Sequence, residues 1–188
     1  MSKLALTAAL LVLAAPAALA ASKTPMVGGA AMYPSRNIVE NAARSKAHTT
    51  LVAAVKAAGL VDTLAGAGPF TVFAPTNAAF AALPAGTVDA LVQPQNKDRL
   101  TQILTCHVVA GDVTSAQLVS LIQQGGGSAQ LQTVGGCVLT ATAANGGVML
   151  TDEQGRGAMV TIADVDQSNG VIHVIDEVVL PSAAAQQG

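Results

Sequence analysis

Aromatic side chains are nearly missing: one Tyr, three Phe and no Trp make up 2% of 188 residues. Stacking platforms for bases or sugar rings are therefore scarce, and a carbohydrate site would have to work without them. Charged residues are also few, at 11%, and balance to a net −2 with no basic cluster. That argues against nucleic acid or an anionic membrane as partner. The three histidines, His48, His107 and His173, never fall in H-x-x-x-H or H-E-x-x-H spacing. G-x-S-x-G elbows, Walker A loops and G-x-G-x-x-G fingerprints are also missing, so no hydrolase, nucleotide or dinucleotide chemistry is signalled. The two cysteines, Cys106 and Cys137, are not in C-x-x-C spacing, which leaves thiol redox catalysis and structural zinc without support. No cofactor and no metal are expected.

Apolar residues reach 51%, much of it alanine. Residues 1–20 carry Lys3, an apolar run from Leu4 to Ala15, Pro16 and then Ala18-Leu19-Ala20. This is the pattern of a secretory signal peptide cleaved before Ala21; a membrane anchor is the rival reading of the same run. No cysteine follows it, so a lipid anchor is unsupported. Residues 21–35, with Pro25, Gly28-Gly29 and Pro34, read as a flexible leader. Residues 36–182 form one domain large enough to bury a full core, and 183–188 a flexible tail. An exported chain with an even cysteine count favours a Cys106–Cys137 disulfide, worth roughly 3–4 kcal/mol in the chain-entropy model. The alternative is two separate buried thiols.

Helices come first and strands later, an α+β pattern. Asn37 caps a helix from Ile38 to about Arg44, and another runs from Thr49 to Ala58 with Gly59 ending it. A further turn of helix covers Leu60 to Ala65. Phe70 to Ala74 reads as a strand ended by Pro75, with Thr76 and Asn77 placed to cap the next helix. Helices follow over Pro84–Val92, from Asn96 or Asp98, and over Thr114–Gln123. Strands then cover Ala129–Val134, Cys137–Thr142, Val148–Thr151 and Ala158–Ala163. Asn169-Gly170 is a strong turn signal. After it Val171, His173 and Ile175 point one way and Ile172 and Val174 the other, so the run to Pro181 reads as a strand covered on both faces.

Two stretches, Pro69-Phe-Thr-Val-Phe-Ala-Pro-Thr-Asn-Ala-Ala-Phe80 and Asn169-Gly-Val-Ile-His-Val-Ile-Asp-Glu-Val-Val-Leu-Pro181, resemble the paired signature segments of fasciclin (FAS1) domains, here of a single-domain exported bacterial type. Thr76, Asn77, Asn169, Gly170, His173 and Asp176 occupy signature positions. Between them Leu104-Thr-Cys-His-Val-Val-Ala-Gly-Asp112 is similar to the family's central segment, with His107 in place and Cys106 where a tyrosine is usual. The resemblance implies a β-sandwich-like wedge of strands with several packed helices, and a non-catalytic role.

It further implies an exported adhesion or surface-interaction module, periplasmic or secreted, that binds a protein or polysaccharide at the cell surface. The family's acidic-hydrophobic adhesion pair maps onto Asp164-Val165. Its tyrosine-histidine segment survives as Cys106-His107, so His107 is the third candidate for partner binding. A second reading is a periplasmic carrier or sensor holding a small apolar ligand near Ala53-Ala54 and Ala78-Ala79. Read as residues alone, His107 and His173 complete hydrogen bonds rather than act in catalysis. Asp164 to Gly170 has the start of a calcium loop, but its glycine falls one place late and Ile175 stands where a bidentate Glu is needed. It reads as a polar turn.

Overall fold

The computed structural model describes residues 24–182. The signal peptide assigned to 1–20 and the tail at 183–188 lie outside the described residues. The expected flexible leader is corrected at once. Strands β1 (Met26–Val27) and β2 (Ala30–Ala31) form a small hairpin, and Val27 and Met32 are buried in the core. Gly28-Gly29 is the hairpin's turn, so glycine here marks a bend between two anchored residues rather than freedom.

Helix α1 (Ile38–Ala42) opens with a capping box in which Asn37 and Glu40 satisfy each other's amides. Helix α2 (Thr49–Ala58) buries Leu51, Ala54, Val55 and Ala58 on one face and ends at Gly59 with φ 74°. Helix α3 (Val61–Ala65) leads into β3 (Phe70–Pro75) and α4 (Asn77–Ala81), where the Thr76 hydroxyl accepts the Ala79 amide as expected of a cap. Helices α5 (Thr87–Leu91) and α6 (Lys97–Thr105), β4 (Val108–Ala110) and α7 (Ser115–Gln124) follow. The chain then runs through β5 (Ser128–Gln132), β6 (Val138–Ala144), β7 (Gly147–Thr151), β8 (Gly157–Gln167) and β9 (Gly170–Ile175).

Seven strands make one sheet in the order β4-β3-β9-β8-β7-β6-β5. The two signature stretches meet as its second and third strands, β3 lying parallel to β9 with Phe73 opposite His173. The sheet curls until its ends nearly close. Just past β5, the Val134 amide donates to the Val108 carbonyl of β4 at 2.7 Å. Cys106 and Cys137 are joined by the expected disulfide, with Cα atoms 5.4 Å apart. Curling puts half of the sheet opposite the other half, the sandwich-like wedge.

Two cores follow from β9's alternation. Ile172 and Val174 face a helical layer with Leu51, Val55, Leu100 and Leu104. Ile175 faces the inside of the curl with Phe73, Leu139, Leu150 and, from α7, Leu118 and Ile122.

Two expected features change. Strand β9 stops at Ile175 rather than running to Pro181, because the Asp176 carboxylate takes the Met159 amide at 2.7 Å. Alternating burial persists beyond it, with Val178 in the helical core and Val179 in the other, but the amides there bond to side chains. The supposed polar turn at Asp164–Gly170 is mostly strand: β8 continues to Gln167 through two register shifts, and only Ser168-Asn169 turns. The bulged residue, Asp164, sits at φ 54°, which disguises a strand as a loop in the sequence.

Candidate functional site

The polar signature residues bind the protein's own backbone. Asn169 accepts the Ile38 amide at 3.0 Å and donates to the carbonyls of Leu64 and Gly66 at 2.8 and 2.9 Å. One side chain thereby joins the β8–β9 turn to the start of α1 and the end of α3. Asn77 accepts the Thr50 amide at 3.0 Å and donates to the Lys46 carbonyl at 2.8 Å, so it caps α2 from outside rather than its own helix. Gly170, at φ 145°, lies against β3, where a Cβ would come 1.9 Å from the Phe70 carbonyl oxygen.

His107 is 2% exposed and both its nitrogens are engaged. Nδ1 donates to the Ile103 carbonyl at 2.7 Å, and Nε2 accepts the Val179 amide at 3.1 Å. That pattern requires the neutral ring. Burial lowers its pKa to about 4, opposed by the Ile103 carbonyl and the charge of Asp152, with Arg156 adding to the lowering. Asp152, which sequence reasoning missed, holds the next amide, Leu180, at 2.9 Å. It also accepts the amides of Gln154 and Arg156 and pairs with the Arg156 guanidinium at 3.0 Å. The signal was an aspartate opening the Asp-Glu-Gln-Gly-Arg turn, the position whose carboxylate reaches amides further on. His48, also buried, contacts the Ser45 hydroxyl through Nδ1 at 2.9 Å.

Ser115, Asp164 and His173 converge from α7, β8 and β9. His173 is fully buried and stacks on Phe73 with ring centroids 5.6 Å apart. Its Nε2 donates to the Val113 carbonyl at 2.8 Å and its Nδ1 accepts the Asp164 amide at 3.2 Å. The exposed Asp164 carboxylate accepts the Ser115 amide at 2.7 Å and the Ser115 hydroxyl. A serine, an aspartate and a histidine are together, but wired unlike a nucleophilic triad. The hydroxyl donates to the carboxylate, and the imidazole has no free lone pair with which to take its proton. Asp164 instead fixes the first turn of α7, where the free amides favour a negative charge.

Of the pair Asp164-Val165, only Asp164 reaches the surface; Val165 is fully buried in the helical core. His107 is likewise away from solvent. Beside Asp164 lies an open groove of about 480 Å³ lined by Ser115, Val119, the Ala143–Gly147 turn, Ala163 and His173. Its walls are neutral: from Val113 to Thr151 there is no Asp, Glu, Lys, Arg or His. Val119 of α7 stands exposed along this side.

A second cavity, of about 40 Å³, lies between α1, α2, α3 and the sheet. Ile38, Leu51, Val55, Leu64 and Leu104 line it, together with Ala42 rather than the alanine pairs singled out from the sequence. Among the described residues no three His, Cys, Asp or Glu side chains gather to hold a metal ion, and no helix is long and apolar enough to cross a membrane.

Residues 46–181 match the model of the fasciclin domain. The chain is 52% identical over 159 residues to protein sll1483 of Synechocystis, covering 85% of this chain and 81% of that one. It is 39% identical over 140 residues to immunogenic protein MPB70 of Mycobacterium bovis, covering 72% and 64%. Among solved structures it is similar to the FAS1 domain pair of the insect cell adhesion molecule Fasciclin I. The TM-score is 0.50 at 22% identity, over 67% of this chain and 42% of that one.

Proposed function

The chain belongs to the fasciclin domain family, and we propose that it is an exported, non-catalytic surface-interaction module. It binds a protein or an extracellular polymer across the groove edged by Asp164 and α7. One observation carries this reading: a carboxylate held rigidly at the surface, by two contacts from Ser115 and by its own amide on His173, beside a neutral groove. A preorganised charge at the rim of an uncharged hollow suits recognition, since little is lost in ordering it. Catalysis is disfavoured because His107 and His173 have both ring nitrogens bonded to the protein. Export is supported by the signal-peptide pattern of residues 1–20 and by the disulfide, which persists in oxidising compartments.

The test is a pull-down from envelope and culture-supernatant fractions with wild type, Asp164→Ala and Ser115→Ala. A specific partner weakened tenfold or more by Asp164→Ala, and less by Ser115→Ala, which keeps the backbone amide contact to the carboxylate, is expected. Equal capture by all three, with matched melting temperatures, would remove Asp164 from the surface.

The apolar cavity supports a second reading, a carrier of a small apolar ligand. At about 40 Å³ it is well below the roughly 300–1,000 Å³ of small-molecule sites, so α1 and α2 would have to part. Native mass spectrometry of the purified protein decides it: a copurifying apolar compound supports the carrier, and the bare polypeptide mass counts against it.

A further inference from the structure

The lone tyrosine is the feature that the proposed function leaves unused. All three phenylalanines are at least partly buried, whereas Tyr33 is 40% exposed, the one aromatic side chain classed as open to solvent among the described residues. It is also held in place. The buried Asn41 accepts the Tyr33 amide at 3.1 Å and donates to the Tyr33 carbonyl at 2.8 Å, and it is itself anchored by Gln167 of β8. Met32, 2% exposed, anchors the chain on the other side. A fully buried amide thus fixes the stretch of backbone that carries a surface aromatic ring.

Two guanidiniums flank that ring. Cζ of Arg36 lies 5.4 Å and Cζ of Arg44 5.9 Å from its centroid, both within cation–π range. Neither is paired with a carboxylate among the described residues. Glu40, the one acid between Tyr33 and Lys46, accepts the Asn37 amide in the capping box. Arg36 is further fixed by its backbone, its carbonyl accepting the Ser168 amide at 2.8 Å. The fold thus gathers what the composition hides: a basic cluster built around the single tyrosine.

We infer that Tyr33, Arg36 and Arg44 form a binding site for an acidic polysaccharide, in which the ring holds the two guanidiniums in place and they engage uronate carboxylates. Arginine suits planar carboxylates because its fork can donate two parallel hydrogen bonds. A polyuronate offers a carboxylate on every sugar, so both arginines can be engaged at once. A nucleic acid fits less well, since its affinity rests on neutralising many closely spaced phosphates and this chain has 11 acidic against 9 basic residues. The site goes beyond the Asp164 groove and shares no side chain with it.

The experiment is calorimetric titration of the purified full-length protein with a polygalacturonate oligosaccharide, neutral dextran of similar length and a deoxythymidine oligonucleotide. Binding to polygalacturonate, none to dextran, and at least tenfold weaker binding to the oligonucleotide are expected. Tyr33→Ala should weaken polygalacturonate binding about tenfold, because the two guanidiniums lose the ring that orders them, and Arg36→Gln/Arg44→Gln more. Melting temperatures should change by little, since none of the three altered side chains is buried. Lys56→Gln/Lys97→Gln, which removes the same charge elsewhere, and Asp164→Ala should each stay within twofold of wild type. The site is overturned if polygalacturonate does not bind, if the oligonucleotide binds as well, or if the lysine pair weakens binding as much as the arginine pair. A failure here leaves the Asp164 pull-down untouched, because each experiment reads a different set of variants.

Discussion

Acidification tests how the C-terminal segment is held. His107 is neutral in the fold, its Nε2 accepting the Val179 amide, and burial lowers its pKa from 6.5 to about 4. Between those values the unfolded chain binds a proton that the folded chain refuses. The stabilisation is therefore complete above pH 6.5 and disappears as pH falls toward 4. A shift of that size corresponds to about 2.5 kcal/mol lost between pH 7 and pH 4.5 from this one ring. His107→Gln keeps an acceptor on the side chain and cannot titrate. Urea denaturation of both proteins at several pH values isolates the term, because His48, whose pKa burial also lowers, and the carboxylates are common to both. Wild type should lose about 2.5 kcal/mol more than the variant over this range, and the Val179 amide should exchange faster as the pH drops. Parallel stability curves would refute the assignment of His107 as a buried neutral acceptor.

Reduction with dithiothreitol opens the loop closed by Cys106–Cys137, whose sequence separation is 31. It should cost about 3.7 kcal/mol and lower the melting temperature by several degrees in calorimetry, and an unchanged transition would contradict a stabilising bridge between the two ends of the sheet. Gly170→Ala places a Cβ 1.9 Å from the Phe70 carbonyl oxygen at a backbone angle few side chains adopt. A loss of about 3 kcal/mol or more, or no soluble protein, is expected, whereas a change below about 0.5 kcal/mol would mean that β3 and β9 are not so tightly apposed. Asp152→Ala strands three amides and a guanidinium. It should cost about 3 kcal/mol by denaturant titration, with Asp152→Asn intermediate; equal stability of all three would show that water replaces the carboxylate freely.

The centre of the fold was legible because its signals are redundant. β3 is apolar on both faces and bounded by prolines, and β9 is introduced by Asn-Gly, so turn chemistry and hydrophobic pattern agree. What the sequence hid depends on partners distant along the chain. Val178 to Leu180 alternates like a strand, yet the Val179 and Leu180 amides are received by His107 and Asp152 rather than by a neighbouring backbone. No local pattern announces an acceptor 72 residues away. Gly28-Gly29 gave no hint that Val27 and Met32 would be buried, and the bulge at Asp164 made a strand look like a turn. At the candidate site, the exposure of Asp164 was compatible with the sequence reading, but the complete burial of Val165 was not. Alternation through two register shifts cannot be counted from one end.

The residues by which the family is recognised are those with least capacity left for a partner. Asn169, Asn77, His107, His173 and Asp176 all bond inward to backbone groups, and Gly170 is chosen by a close approach. Such side chains specify a fold, and a protein can share all of them while binding something different. Selectivity must then come from side chains that the scaffold positions but does not need. Two sets answer that description: the neutral face from Val113 to Thr151 beside Asp164, and Tyr33 between its arginines. The first lacks charge where a surface ordinarily has it, and the second concentrates charge and aromaticity that the rest of the chain lacks. Each departs from the average surface in a direction that the core does not demand, which makes them the places where exchanging residues between relatives should change the partner while leaving the melting curve in place.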